Sequence, residues 1–309
     1  MPGRRPPAPS VSEKHPKRNI SGWLILDKPA GITSTRAVGR VKHLFAARKA
    51  GHAGTLDPLA TGVLPIALGE ATKTMPFVQD GTKTYRFDIV WGAQTDTGDT
   101  EGEIVATSER RPTNAQLAEI SDLFRGNISQ IPPRYSAVKI GGERAYKLAR
   151  AGKNPVIPAR SVTIGRLDIL VNGPDKATLE IDCSKGTYVR ALARDMAEAL
   201  ETKGHIGALR RLRVGGFTAD TAAALETLEA APDPLALLLP VAAGLAEVPE
   251  ITLDSGQAAA VARGNPVLLT GRDAPAALDP AAAFHRGMPV AIGRVEQGQF
   301  KPRRLILHG

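Results

Sequence analysis

The sequence predicts an α+β protein built on a mostly antiparallel mixed sheet and followed by a small β domain at the carboxyl end. Strand-like and helix-like segments follow one another without the regular alternation that produces a parallel sheet. A proline-rich stretch at residues 232–249 marks a boundary, and residues 250–309 are short strand-like pieces separated by glycine and proline. A chain of 309 residues, 42% of them hydrophobic, can supply cores for two such units. We therefore expect a larger domain over residues 21–245 and a small one over 250–309.

The amino-terminal elements follow from composition and from apolar spacing. Residues 1–20 are basic and proline-rich with little to bury, so they predict a disordered arm that adds weak attraction to phosphate. Trp23–Leu26 predicts the first strand. A helix follows, capped by Thr33 or Ser34, with four apolar residues at helical spacing on one face: Val38, Val41, Leu44 and Phe45.

The middle of the chain predicts two more strands, a helix, a strand pair and a second helix. The strands are Val63–Leu68 and Tyr85–Val90, and Thr113–Gln116 resembles a capping box that opens a helix to Phe124. Residues 162–171 and 177–183 predict paired strands. After a loop at Ser184–Thr187, good helix formers from Val189 to Leu200 predict the last helix of this domain.

The charge balance indicates a polyanionic partner. The chain has 40 Lys and Arg against 31 Asp and Glu, which gives a net charge of +9 and a pI near 9.8. Nucleic acid is the first expectation, and an anionic membrane surface is the second. No signal peptide is visible at the start and no apolar run reaches the roughly 18 residues of a membrane span. We expect a cytoplasmic protein that does not bind membranes.

Positive and negative charges are segregated along the chain. Residues 36–49 hold five basic side chains and no acid, and residues 134–166 hold eight against Glu143 alone. Residues 214–262 contain seven acids and neither Lys nor Arg. An isolated charge run is usually a solvated face, but this segregation favours a dedicated basic surface, with the acidic stretch facing away from the polyanion.

Metal and disulfide chemistry have no sequence support. Cys183 is the only cysteine, so no internal disulfide can form, and we interpret it as a packing residue. The six histidines show no close ligand-like pairing. We expect no metal and no cofactor.

The most informative segment is Gly51–Gly62, with the sequence GHAGTLDPLATG. A residue before proline is driven out of the helical region, so Asp57 should lie in an extended or turn conformation. Gly54 and Gly62 would let the backbone approach a ligand closely. By itself an Asp-Pro pair in a glycine-rich loop is more often a plain turn.

The segment GHAGTLDPLATGVLPIALGEATK closely resembles the catalytic segment of the bacterial synthases that convert uridine 55 in the T arm of tRNA to pseudouridine. Further segments resemble that family in the same order: GWLILDKPAGITS (22–34), KTYRF (83–87), GAQTDTGDTEG (92–102), PPRYSAVKIGGERAYKLARAG (132–152), CSKGTYVRALARD (183–195) and LRRLRVGGF (209–217). RGNPV (263–267), RGMPVAIGRV (286–295) and KPRRLIL (301–307) resemble, more loosely, the RNA-binding β domain called PUA.

The resemblance implies a pseudouridine synthase fold and a cofactor-free isomerase. The reaction breaks the bond between N1 and C1′, turns the uracil and bonds C5 to C1′, and Asp57 matches the family's catalytic carboxylate. Whether the carboxylate attacks the sugar, adds to the base or removes the 2′ proton stays open. An arginine beside it would favour the anion and lower the pKa of Asp57.

The resemblance also assigns substrate contacts. Arg190 matches the arginine that pairs with the aspartate, and Tyr85 matches the tyrosine that packs against uracil. His52, Tyr188 and Leu209 match residues that contact the target nucleotide or the flipped bases. Read without the family, these are ordinary surface, loop and core residues. Residues 134–166 match a flexible insert that closes over the RNA loop, with Arg144, Lys147 and Arg150 as candidate RNA contacts.

Three other functions compete with this hypothesis. A noncatalytic RNA-binding protein would share the basic segments but has no use for Asp57 within an intact motif. The guide-RNA-dependent branch of the superfamily shares GTLDP, whereas LATGVLPIALGEATK and the basic insert favour the stand-alone bacterial type. A carbohydrate hydrolase would need a second carboxylate, for which no candidate stands out. We expect a monomer that binds the T arm of tRNA without an obligatory protein partner.

Overall fold

The computed structural model describes residues 16–153, 155–271 and 273–307. Within these ranges the strands are β1 (Gly22–Lys28), β2 (Ala50–His52), β3 (Thr61–Leu68), β4 (Lys83–Trp91), β5 (Ala93–Thr95), β6 (Ile104–Thr107), β7 (Gly126–Gln130), β8 (Lys139–Ile140), β9 (Glu143–Arg144), β10 (Arg160–Asn172), β11 (Lys176–Cys183), β12 (Gly204–Val214), β13 (Phe217–Thr218), β14 (Ala223–Ala224), β15 (Glu250–Thr252), β16 (Val267–Leu268), β17 (Ala277–His285), β18 (Met288–Glu296) and β19 (Gln299–Leu305). The α-helices are α1 (Ser34–Leu44), α2 (Met75–Asp80), α3 (Asn114–Ser121), α4 (Ala145–Arg150), α5 (Val189–Ala199), α6 (Leu225–Ala230) and α7 (Ser255–Ala262).

The larger sheet is mixed and mostly antiparallel, as the sequence predicts. Its strand order is β14-β1-β3-β12-β4-β11-β10-β7, with β2 added to β3 and β13 added to β12. Of these pairs, β1 with β14 and β3 with β12 are parallel, and the others are antiparallel. The predicted α+β class is confirmed.

The central strands are buried on both faces of this sheet. Alternate side chains of a strand point to opposite faces, and in β1 Leu24 and Leu26 enter the larger apolar core while Trp23 and Ile25 enter a second one. Strand β3 divides its side chains between the two cores in the same way. This double burial explains why both strands are continuous apolar runs in the sequence.

The helices predicted from capping signals are present with small shifts at their ends. Thr33 caps α1, its hydroxyl accepting from the Arg36 amide at 3.1 Å. Thr113 and Gln116 form the predicted capping box of α3, which ends at Ser121 and continues to Phe124 as a 3₁₀ turn. These local signals depend on neighbouring residues only, which is why the sequence reveals them.

The carboxyl-terminal part forms a five-stranded sheet in the order β15-β17-β18-β19-β16, with its own apolar core. Helix α7 packs into this core and was not predicted, although Asp254 and Gln257 form a capping box before it. The strand-like pieces expected in residues 250–309 include β17, β18 and β19, the last of which ends at Leu305.

This sheet also packs on the first part of the chain. Val248, Phe284 and Ile306 belong to an apolar cluster against which Phe77 packs. The Lys73 ammonium donates to the Leu305 carbonyl at 2.7 Å, and so the two parts share both apolar and polar contacts.

The predicted arm, residues 1–20, falls mostly outside the described residues. Its last part does not fit the prediction. Arg18 forms an isolated bridge with Ala47, and Ile20 packs partly buried against the larger core. The fold therefore begins before Trp23, because backbone pairing with the residues after α1 holds Arg18 in place.

The predicted basic insert, residues 134–166, is too long at its carboxyl end. Residues 139–150 form the β8–β9 hairpin and α4, but Arg160–Asn172 is the long strand β10 of the main sheet. Arg166 pairs there with Asp168, Glu180 and Asp182. Carboxylates of β10 and β11 compensate its charge, so it adds little net positive charge to the surface.

Among the described helices, we find none long and apolar enough to cross a membrane.

Candidate active site

Asp57 lies in the segment 53–60 between β2 and β3, which we call the Asp57 loop. Buried side chains hold the residues on both sides of it. The Ser34 hydroxyl, at the start of α1, donates to the Leu56 carbonyl at 2.9 Å and accepts from the Leu56 amide at 2.8 Å. The Lys28 ammonium, at the end of β1, reaches the Pro58 carbonyl at 3.2 Å. The position of the carboxylate is therefore set by β1 and α1.

Arg190 forms an ion pair with Asp57, with 3.0 Å between its Nη2 and the carboxylate Oδ2. Arg190 is in the first turn of α5 and its side chain is 5% exposed, whereas that of Asp57 is 35% exposed. The arginine thus approaches from the protein interior and leaves one side of the carboxylate open to a ligand. The pairing of these two residues is as the family resemblance implies.

Arg190 is itself held by two other segments. Its Nη1 donates to the Thr97 carbonyl at 2.7 Å, and its Nη2 donates to the Tyr135 carbonyl at 2.9 Å. Its Nη1 also lies 3.6 Å from Oδ2 of Asp99, a carboxylate that is 3% exposed. The guanidinium therefore joins the Asp57 loop, the turn between β5 and β6 and the start of the basic insert.

The pKa of Asp57 is raised, whereas the sequence predicts that a neighbouring arginine lowers it. Burial is the largest cause, and the nearby Asp99 carboxylate acts in the same direction. Arg190 and Lys28 oppose them by favouring the anion. The expected arginine effect is present, but removal of the carboxyl group from water outweighs it, which no local sequence pattern could show.

Tyr85 and Tyr188 both lie within electrostatic reach of Asp57. Burial raises the pKa of each phenol, and the Asp57 carboxylate raises it further. Tyr85 is on β4 and packs partly buried against the larger core. Tyr188 precedes α5, donates its amide to Oε1 of Gln130 at 2.8 Å and packs on the apolar cluster of the insert.

The other predicted substrate contacts differ in their surroundings. His52 ends β2, and burial and the Arg211 charge lower its pKa, so its imidazole is neutral near pH 7. Leu209, on β12, is 7% exposed and belongs to the larger core.

The three candidate RNA contacts of the insert lie on or beside α4. Arg144 donates to the Ala137 carbonyl at 2.8 Å, and the Arg150 guanidinium lies 5.8 Å from the Tyr146 ring centroid. Arg144, Lys147 and Arg150 are all exposed. Both arginines make these contacts within the insert.

Lys28, Asp99 and Arg211 are functional candidates that the sequence does not single out. Lys28 is fully buried, and burial lowers its pKa to about 8. Its ammonium donates to the carbonyls of Pro29, Ile32 and Pro58. The signal available in the sequence is a lysine that closes a strand just after the apolar run Trp23–Leu26.

The described residues contain no group of three or more His, Cys, Asp or Glu side chains placed to hold a metal ion. Cys183 is buried, and burial raises the pKa of its thiol to about 11, in keeping with a packing residue. The polar groups at the site are instead a carboxylate pair, buried cations and two phenols, which suit acid–base and electrostatic chemistry.

Comparison with known families gives two adjoining matches. Residues 42–189 match the model of the TruB family pseudouridylate synthase N-terminal domain, and residues 190–243 match that of the tRNA pseudouridylate synthase B C-terminal domain.

Curated relatives match over nearly the whole chain. The chain is 48% identical to the tRNA pseudouridine synthase B of Mesorhizobium japonicum over 314 residues, which is 94% of this chain and 97% of that protein. It is 49% identical to the protein of the same name from Rhizobium etli over 308 residues, 96% of this chain and 99% of that one.

Solved structures share the fold at low sequence identity. An H/ACA RNP bound to a substrate RNA containing 2'-deoxyuridine contains a chain with a TM-score of 0.71 at 19% identity, covering 93% of this chain and 85% of that one. A Cbf5-Nop10-Gar1 complex contains a chain with a TM-score of 0.69 at 22% identity, and the match covers 93% of this chain and 84% of that one.

Proposed function

Because the chain belongs to the TruB family of pseudouridylate synthases, we propose that it converts uridine 55 in the T arm of tRNA to pseudouridine with Asp57 as the catalytic carboxylate. The observation that carries this proposal is the 3.0 Å ion pair between Asp57 and Arg190 at the open side of a loop held by buried groups. Membership of the family makes the chain an isomerase.

The reaction rearranges a single nucleotide. The bond between N1 and C1′ breaks, the uracil turns, and C5 bonds to C1′; the proton on C5 is lost and N1 gains one. Atoms and electrons balance without a redox partner or a group donor, so no cofactor is needed. Three routes are open to the carboxylate: attack at C1′, addition to the base, or removal of the 2′ proton.

In each route Asp57 has to act as an anion. Its raised pKa makes it a stronger base than an exposed aspartate, and Arg190 keeps the anion accessible at neutral pH. Because carbonyls of Thr97 and Tyr135 hold the guanidinium, the ion pair has a fixed direction. Such preorganised charges need little rearrangement during reaction, which is how they lower a barrier.

A uridine stacked inside the T loop must be extruded before it can reach Asp57, at a cost of a few kcal/mol. We propose that Tyr85 packs against the extruded uracil and that His52, Tyr188 and Leu209 line the space around it and the displaced bases. The neutral imidazole and the phenols suit an uncharged base.

For RNA binding, we propose that the basic insert closes over the T loop through Arg144, Lys147 and Arg150, which are exposed. We further propose a catalytic domain over residues 21–245 and a PUA-like RNA-binding domain over 250–309, in a cytoplasmic monomer that needs no protein partner. The separate apolar core of the carboxyl-terminal sheet supports this division.

Incubation of the purified protein with unmodified tRNA, followed by mapping of pseudouridine, tests the proposal. We expect pseudouridine at position 55, and none in a tRNA with cytidine there. Asp57→Asn should abolish turnover and keep tRNA affinity within about tenfold, since the amide preserves volume and removes the reacting charge.

Asp80→Asn is the matched control, because this aspartate pairs with Lys185 on the surface. It should react like the wild type. Pseudouridine only at other positions would refute the assignment to uridine 55. Normal turnover by pure Asp57→Asn would refute the role of Asp57.

A further inference from the structure

Arg211 is a buried arginine beneath the Asp57 loop. It is 1% exposed and one of the largest side chains that the described core encloses. Its Nε donates to the Val63 carbonyl at 2.7 Å, and its Nη2 donates to the Gly54 carbonyl at 3.0 Å. Its Nη1 reaches the Thr55 carbonyl at 3.4 Å. One guanidinium thus holds the backbone just before Asp57 and the strand that follows the loop.

The same residue is the cross-strand neighbour of Tyr85. In the antiparallel pair of β12 and β4, Arg211 is directly opposite Tyr85. Side chains of opposite residues in such a pair lie side by side on one face, with Cβ atoms about 5 Å apart. Burial raises the pKa of the Tyr85 phenol, and the positive charge of Arg211 opposes this rise.

The charge of Arg211 has no acidic counterpart in the described part of the chain. Its neighbours Arg210 and Arg213 pair with Asp27 and Asp182, whereas no carboxylate among these residues forms an ion pair with Arg211. A buried cation is costly to keep unless its donors are satisfied. Here the carbonyls of Gly54, Thr55 and Val63 accept from the guanidinium donors, and two of these carbonyls belong to the Asp57 loop.

We propose that Arg211 is a positioning residue: its guanidinium holds the Asp57 loop and the Tyr85 ring in one arrangement, so that both act on the same nucleotide. The inference rests on the proposed function for the nucleotide and on the contacts above for the positioning. Since Arg211 is almost fully buried, it acts through its neighbours and does not touch the RNA.

The test compares Arg211→Gln and Arg211→Lys with Arg210→Gln. Arg210 is adjacent on β12, but it is partly exposed and paired with Asp27, so it controls for loss of a cation from this strand. Single-turnover rates at saturating enzyme and tRNA affinities are measured for each variant.

We expect Arg211→Gln to lower the single-turnover rate about a hundredfold, because a displacement of about 1 Å from outside the reacting groups can cost that much. Its tRNA affinity should stay within about threefold of the wild type, since the side chain is buried. Arg211→Lys should recover part of the rate, because an ammonium keeps the charge and some of the donors but not the planar fork. Arg210→Gln should react within about threefold of the wild type.

Two further measurements separate positioning from folding and from the proposed function. Hydrogen exchange of the peptide spanning 51–62 should be faster in both Arg211 variants and unchanged in Arg210→Gln, and this needs no activity. In a double-mutant cycle with Tyr85→Phe, the effects of Arg211→Gln and Tyr85→Phe should not add.

The inference is overturned if folded Arg211→Gln reacts at the normal rate or loses only tRNA affinity. It is also overturned if hydrogen exchange at 51–62 is unchanged, or if the effects of Arg211→Gln and Tyr85→Phe add. If Arg211→Gln fails to fold, Arg211→Lys decides the matter by the same measurements. A wild-type protein that forms no pseudouridine refutes the proposed function alone, since the exchange comparison still decides whether Arg211 holds the loop.

Discussion

At the scale of single residues, the site is organised by charges that are removed from water. Asp57 and Asp99 lie on either side of the Arg190 guanidinium, at 3.0 Å and 3.6 Å. Asp99 is almost fully buried, accepts from the Thr97 hydroxyl and from the Glu101 amide, and so has a fixed place. The charge of the Asp99 carboxylate therefore acts on Asp57 and raises the pKa of Asp57.

This coupling predicts how the rate of reaction depends on pH. Because the folded protein raises the pKa of Asp57, lowering the pH should protonate it, and the rate should fall, at a higher pH than for an exposed aspartate. The Asp99 anion contributes to that rise, whereas Arg190 and Lys28 oppose it. In Asp99→Asn the fall of the rate on the acid side of the pH–rate profile, its acid limb, should therefore move to lower pH.

The measurement is the single-turnover rate as a function of pH for the wild type and Asp99→Asn. The plateau rate should also fall, by about tenfold, because Arg190 loses part of its support. Asp122→Asn, in which the altered residue pairs with Arg125 on the surface, is the control and should leave the limb in place. A limb that stays or moves to higher pH in Asp99→Asn would contradict the coupling.

At the scale of elements, the parallel pairing of β3 with β12 sets the Asp57 loop against the sheet. Gly62, at the start of β3, has φ of +100° and pairs with Arg211. A Cβ atom at Gly62 would lie 2.1 Å from the Arg211 carbonyl oxygen. From the sequence we expect this glycine to let the backbone approach a ligand, but in the structure it lets the neighbouring strand approach.

Gly62→Ala should therefore destabilise the fold by about 4 kcal/mol or more, because a backbone clash adds to the cost of a positive φ. Gly31→Ala is the control: its φ is +79°, but a Cβ there would meet nothing within 4 Å. It should cost only about 1–2 kcal/mol. Denaturant unfolding measures both, and equal losses would show that close strand approach does not matter at Gly62.

The basic insert is the second element with a testable role. Its predicted contacts Arg144, Lys147 and Arg150 are exposed and have no carboxylate partner among the described residues. Replacing all three by Gln should weaken tRNA binding and reduce the salt slope by up to about one unit per lost phosphate contact. The chemical step at saturating enzyme should suffer less, provided the bound RNA still reaches Asp57.

The matched control replaces three basic residues that already pair with carboxylates: Arg110 with Glu201, Arg125 with Asp122 and Lys176 with Asp88. The net charge changes by the same amount, so the two triple variants differ in where the lost charge lies and in whether a carboxylate paired with it. Affinity and salt slope are measured across a salt series. If the two triple variants lower tRNA affinity and salt slope equally, the insert is an ordinary solvated face and has no special role in binding.

At the scale of the whole molecule, the charge segregation in the sequence is only partly a segregation in space. Arg40 belongs to the basic run 36–49, but it pairs at 2.6 Å with Glu229 from the acidic stretch 214–262. Arg166 is compensated within the sheet. The basic surface available to RNA is therefore smaller than the residue counts indicate.

We also expect the activity of the protein to be independent of metal ions. Because no three potential ligands cluster in the described residues, excess chelator should leave the rate of pseudouridine formation unchanged. The tRNA is first folded, and monovalent salt maintains its structure during the measurement. A strong loss that zinc reverses would show that a metal site has been missed.

Much of the architecture could be predicted from the sequence because its signals are local. The capping residues Thr33 and Thr113 and the Asp57 motif depend on neighbours within a few residues. Strand β12 and helix α7 were missed. Strand β12 carries several arginines where an apolar pattern is expected, and α7 is a short helix rich in alanine.

By itself, the sequence determined the fold class, the family and Asp57 as the candidate carboxylate. Only the tertiary structure decided which charges are buried and what they hold. Lys28, Asp99 and Arg211 look like surface residues in the sequence, but they are 0%, 2% and 1% exposed. The reason is physical: a charge can be buried only where distant segments bring partners to it, and the partners of Arg211 come from residues more than 140 positions away.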